Sequence, residues 1–218
     1  MSDELEAQHE AAREVVRRLR RDVPNVDDGT LRLLLTEART FGSWRDKNVT
    51  DEEIRALYNI LRQGPTSLNQ QPARYLFLRS TEAKEKLIPA LIPGNVEKVK
   101  AAPVCAVICY DSAFYDNLPR LFPANDKMRD MMVDNPEMAA ANAFRNGTLQ
   151  GAYFMIAARA IGLDCGPMSG FNNKMVDETV LAGTSLKSNF LCNIGHADES
   201  TLMRRLPKLE FDEVAEIL

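Results

Sequence analysis

The stretch Ala139–Leu163, AAANAFRNGTLQGAYFMIAARAIGL, constrains the fold more than any other part of the chain. It is long enough for about seven helical turns. Alanine, glycine or apolar residues stand on nearly every side of it, so such a helix has no face suited to water and is expected to be buried. Gly147, Gly151 and Ala158 leave room for another backbone to approach. One amide, Gln150, stands in its middle. A core amide bonded to nearby main chain is one reading of it; a ligand contact is the other.

The second constraint is APVCAVICYD, Ala102–Asp111, a continuous apolar run of strand length opened by Pro103. This is the pattern of a central strand covered on both faces. RYLFLR, Arg74–Arg79, and KSNFLCNIG, Lys187–Gly195, read as further strands. Residues 3–21 form a charged amphipathic helix with few large apolar side chains, so residues 1–30 are expected to be a surface extension ahead of a domain at 31–218. A helix starts after Asp27 or Asp28 with Leu31, Leu34 and Leu35 inward. TDEE at Thr50–Glu53 is a capping box, followed by an inward stripe of Ile54, Leu57, Ile60 and Leu61 that ends at Gly64–Pro65. A helix over Thr81–Leu91, an irregular insertion at 112–135 lying over a site, a Gly166–Pro167 turn and a short helix capped by Asn172 complete the reading. Helices and strands alternate loosely, which predicts one α+β domain of layered sheet and helices.

The functions that need a conspicuous protein-borne group are poorly supported. A net charge of -4 argues against nucleic acid as a partner. Cys105, Cys109, Cys165 and Cys192 are scattered, and Cys105 and Cys109 lie about 13 Å apart on a strand, too far to share a metal. No metal site is expected. No G-x-G-x-x-G or G-x-x-x-x-G-K-[ST] motif is present, and Ser169 is one place off a G-x-S-x-G elbow, with only His9 and His196 as bases. The longest apolar run is about half the length of a membrane span and no signal-peptide core opens the chain, so a soluble, cytoplasmic protein is expected. With no obvious reactive side chain, a bound cofactor is expected to carry the chemistry.

GPTSLNQQP, Gly64–Pro72, is similar to the P-[ST]-x-x-N-x-Q-P signature of the nitroreductase superfamily, the FMN-dependent NAD(P)H oxidoreductases, at Pro65, Thr66, Asn69, Gln71 and Pro72. ARTFGSWRDKNVTDEEI resembles the family's entry segment through Arg39, Thr40 and Trp44, with Gly42 in place of a second arginine and Arg45 nearby; Ala73 replaces the usual tryptophan. GNVEKVKAAPV, QGAYFMIAARAIGLDCGPMSGFN and NIGHADE followed by RRLP continue the resemblance over about residues 31–215. The family implies a layered α/β/α sandwich with a central mixed sheet and long buried helices, and a homodimer with FMN at its interface.

By the same resemblance Arg39, Thr40 and Arg205 hold the flavin phosphate. Asn69, Gln71, Asn95 and Gln150 meet the pyrimidine edge, with Pro65, Thr66 and Ser67 beside them. Pro167, Met168, Ser169 and Gly170 line the ring. W-R-x-x-x-V, AFRN, LKSN and RLP-x-L-x-F-x-E are closest in wording to the malonic semialdehyde reductases of bacterial uracil degradation. That subgroup implies NADPH or NADH as hydride donor and an aldehyde acceptor whose carboxylate meets a guanidinium, Arg145 ahead of Arg120 and Arg74. A broad nitro- or quinone reductase, and a flavin-binding dimer without turnover, are the alternatives.

Overall fold

Alternation along one strand builds both sides of the molecule. Four strands, β1 (Ala73–Leu78), β2 (Val104–Asp111), β3 (Asp164–Met168) and β4 (Leu186–Gly195), form one sheet in the order β1-β2-β4-β3. On β2 the side chains of Val104, Ala106 and Ile108 enter the core on one face, and those of Cys105, Val107 and Cys109 enter the core on the other. The residues from Val104 to Cys109 are all buried, as expected for a strand with a neighbour on each edge and a layer on each face.

The structure is a computed structural model and describes residues 3–218. The chain divides into two compact units at Ala38/Arg39. The first contains helices α1 (Asp3–Asp22) and α2 (Asp28–Leu31), then a π turn at Arg32–Thr36. Exposed ion pairs of Arg13 with Glu6 and Glu10, and of Arg17 with Glu10 and Glu14, run along α1. Asp27 caps α2 by accepting from the Thr30 amide. Leu31 and Leu35 are exposed, contrary to the inward stripe expected, because the π turn breaks the helical spacing that would align them.

The second unit begins at Arg39. Helix α3 (Asp51–Leu61) opens with the reciprocal Thr50–Glu53 capping box. Leu57 and Leu61 are buried, but Ile60 points outward. Only α4 (Thr81–Glu85) and a 3-10 turn at Ile88–Ala90 form where a helix to Leu91 was expected, since Pro89 cannot continue an α-helical ladder. Helix α5 (Pro93–Ala101) follows. Residues 112–135 are not irregular: they hold a 3-10 turn, α6 (Leu118–Leu121) and α7 (Met128–Val133), and Phe114, Leu118 and Met132 pack with Ala139 and Ala143 in a third core cluster.

Helix α8 (Pro136–Ala160) is the long buried helix. Its inner face lies on the sheet, where Gly147 meets Tyr110 and Gly151 meets Phe190 and Ile108, so the close approach is by side chains of the same chain and not by a backbone. Phe144 and Leu149 on its flanks are exposed, and the Phe144 ring meets the Tyr110 ring edge-on. Helix α9 (Asn173–Thr179) is capped by Asn172, and α10 (Phe211–Val214) lies in the C-terminal segment.

Among the described residues all three strand pairings are antiparallel, a correction to the mixed sheet expected, and parallel pairing is confined to an isolated Thr40–Cys165 bridge. Gly166–Pro167 lies within β3 and not in a turn. Proline is tolerated there because β3 is an edge strand.

Candidate functional site

The link between α3 and β1 is stiff and strained. Gly64 lies against the Tyr153 ring, whose hydroxyl donates to the Pro65 carbonyl at 3.0 Å. Beyond it Leu68, Asn69 and Gln71 hold φ of 52°, 51° and 42°. For residues with a Cβ this left-handed region costs about 1–2 kcal/mol each, less for asparagine, so the surroundings must impose it.

A row of amides on α8 does so. Asn142, Asn146 and Gln150 stand four residues apart and therefore on one face of the helix. Asn146 Oδ1 accepts from the Ser67 amide at 2.9 Å, and Gln150 Oε1 accepts from the Ala73 amide at 2.9 Å. Gln70 Nε2 donates to Asn142 Oδ1 at 3.4 Å. Within the loop Gln71 Nε2 donates to Asn69 Oδ1 at 2.8 Å, the Gln71 amide donates to Thr66 Oγ1 at 3.2 Å, and Asn69 Nδ2 donates to the Leu121 carbonyl at 3.0 Å. Gln150 is thus a core amide bonded to nearby main chain, and the residue also lines a cavity beside the loop. Sequence reasoning missed Asn142 and Asn146, although the N-x-x-x-N-x-x-x-Q spacing was there to find them.

The other predicted residues gather along β3. Thr40 bridges Cys165, and the Phe41 amide donates to the Cys165 carbonyl at 3.0 Å. This lays Phe41 so close over Gly166 that a Cβ there would overlap the Phe41 carbonyl oxygen. Pro167 and Met168 are half-buried and Ser169 is exposed. The Gly170 carbonyl accepts from the Ile92 amide at 3.1 Å and from Asn95 Nδ2 at 3.0 Å, and Asn95 is buried. Arg39 donates to the Met203 carbonyl, Ser43 Oγ lies 2.8 Å from Thr201 Oγ1, and Arg45 pairs with Glu199 at 2.7 Å. The segment after Ala38 is thereby sewn to the one that carries exposed Arg205.

The exposed Glu199 carboxylate raises the Arg45 guanidinium further above its ordinary value and is itself lowered. Lys98 lies beside Gly42. Its side-chain carbons lie 3.6–3.7 Å from where a Cβ on Gly42 would sit. Three residues after Asn95 on α5, Lys98 occupies the same side of that helix, a spacing visible in the sequence but not used.

The two groups of residues are well separated within one chain. The 66–71 loop leads into β1 and is tied to α8; Gly170 follows β3 and is met by Asn95 from α5, with Phe171 and Val99 in the core on the opposite face of the sheet. With β2 and β4 between them, the two edge strands lie about 14 Å apart. Arg145 is exposed on α8, one residue before Asn146 and so about 100° around the helix from it.

Residues 22–196 match the Nitroreductase family model. The chain is 51% identical over 187 residues to HadB of Ralstonia pickettii, named as a candidate NADH dehydrogenase/NAD(P)H nitroreductase, covering 84% of this chain and 95% of HadB. Its fold is similar to that of a nitroreductase candidate of Exiguobacterium sibiricum solved in complex with FMN, with TM-score 0.74, 21% identity and coverage of 89% of this chain and 98% of that one. It is also similar to the enone reductase CLA-ER of gut-bacterial fatty acid saturation, with TM-score 0.75, 15% identity and coverage of 89% and 100%. The signature loop and the extent of the family match lead to one conclusion: the chain belongs to the nitroreductase family.

Proposed function

We propose that this protein is an FMN-dependent oxidoreductase that draws on NADPH or NADH and reduces malonic semialdehyde to 3-hydroxypropionate in pyrimidine degradation, as a cytoplasmic homodimer. The observation that carries the reading is the separation of two polar groups to opposite edges of the sheet, each suited to part of one flat, phosphate-bearing ligand. A second copy of the chain would bring the loop of one subunit to the β3 edge of the other. The exposed apolar residues Phe144 and Leu149 on α8, and Met203, Leu206, Leu209 and Phe211 in the C-terminal segment, favour such a partner.

The residues present fit FMN. Arg39, Arg205 and Lys98 would neutralise the phosphate, with the Thr40 hydroxyl beside them. Asn69, Gln71, Asn95 and Gln150 offer the donors and acceptors that the pyrimidine edge of the ring needs, and Thr66 and Ser67 hold their loop in place. Pro167, Met168, Ser169 and Gly170 form a wall that the main chain approaches closely. Bound there, FMN would supply a carrier that takes a hydride from the nicotinamide and passes it to the aldehyde. The chain's task is to orient both substrates and to meet the charge developing on the carbonyl oxygen with a hydrogen-bond donor. The name of HadB favours a second reading, a reductase of nitro compounds.

The test is the visible spectrum of the purified protein under anaerobic conditions. Oxidised-flavin bands should bleach with NADPH and return with malonic semialdehyde faster than with a nitroaromatic. The opposite ranking would select the nitroreductase reading, and bands that never return would select a flavin-binding dimer. A protein that stays colourless after incubation with FMN would overturn all three.

A further inference from the structure

Beside the strained loop lies a cavity of about 510 Å³ whose lining is unusually basic. Arg62 from the end of α3, Arg74 from β1 and Arg120 from α6 reach it, together with Gln71, Asn117 and Gln150, and no carboxylate lines it. Arg74 is committed elsewhere: it pairs with Asp111 at 2.8 Å and donates to the carbonyls of Gln71 and Ala73. Arg62 and Arg120 form no ion pair among the described residues, and the one side-chain bond of Arg120 is a long contact of 3.4 Å to neutral Asn117. Arg62 and Arg120, neither of them paired with a carboxylate among the described residues, line one cavity together with buried Gln150, which suits it to an anion.

We propose that Arg62 and Arg120 bind the carboxylate of a small anionic acceptor and so set the enzyme's preference for acids over neutral aldehydes. The assignment deepens the proposed function, on which it rests, and moves the carboxylate contact from Arg145 to this pair. At about 510 Å³ the cavity has room for a compound of a few carbon atoms. Arg74, locked by Asp111, holds the wall and contributes little free charge.

The experiment pairs binding with turnover. Malonate is titrated calorimetrically into the full-length wild-type protein and into Arg62→Gln, Arg120→Gln and Arg120→Lys. The kcat/KM ratio for malonic semialdehyde over propanal, and the KM for NADPH, are measured on the same proteins. Each glutamine variant should weaken malonate about tenfold and lower the ratio in step. Arg120→Lys should recover much of both, and the NADPH KM should hold. Absence of malonate binding by the wild type, or equal affinity in wild type and variants, would overturn the assignment. So would a rise in the NADPH KM, which would give the pair to the nucleotide's phosphate. If the protein does not reduce the aldehyde, the titration still reads the pair; if it reduces the aldehyde while the titration is unaffected, only this assignment fails.

Discussion

The two edges of the sheet solve the same problem by opposite means. At the β1 edge the chain forces residues with full side chains, Leu68, Asn69 and Gln71, into left-handed backbone and holds them with the α8 amides. At the β3 edge it removes the side chain: Gly166 admits the Phe41 carbonyl, and Gly170 admits Ile92 and Asn95. One edge keeps its amides at the cost of strain; the other gives up side chains for close main-chain contact. The difference teaches where each is vulnerable. The loop depends on distant bonds, while the glycine edge depends on empty volume.

Substitutions test that contrast. Gly166→Ala should have the largest effect, because its neighbour is main chain and cannot swing aside. A cost of about 3 kcal/mol, or a fall of about 6–12 °C in melting temperature, is expected by thermal unfolding. Gln150→Leu should cost about 1–3 kcal/mol by leaving the buried Ala73 amide without an acceptor. It should also lower flavin content; a variant that loses stability and keeps full flavin would confine Gln150 to the core. Gly170→Ala meets the flexible end of Ile92, so a loss of about 1 kcal/mol is expected, with chemical denaturation as the readout. The smallest change should carry the opposite sign. Gln71→Gly relieves a positive φ and should leave the apoprotein as stable or more so, while flavin retention falls. A lower apoprotein melting point would mean that Gln71 serves the fold.

The same contrast marks what was legible in the sequence. β2 announces itself by an uninterrupted apolar run, since it is covered on two faces, and β4 by the shorter Phe190–Cys192 run among polar residues. β3 does not, because Gly166 and Pro167 are turn residues by habit and only an edge position makes them strand residues. Helix α5 offers few large apolar residues, with Val99 alone of them buried, and its periodicity is correspondingly faint. The amide-rich character of the loop could be read directly, whereas its strain could not: leucine and glutamine give no warning of positive φ. Nor does a linear sequence disclose strand order, and it is strand order that sends the loop and Gly170 to opposite edges.

The amide row on α8 has a consequence for how this helix can change. Each residue added to an α-helix turns everything beyond it by about 100°. Asn142, Asn146 and Gln150 bond to Gln70, Ser67 and Ala73, so the three share one phase. Point changes at exposed Phe144 or Leu149 leave that phase untouched. A single-residue insertion between Asn142 and Gln150 would dephase the row and free the loop, however conservative the inserted residue. Across this stretch helix length is far less negotiable than helix composition.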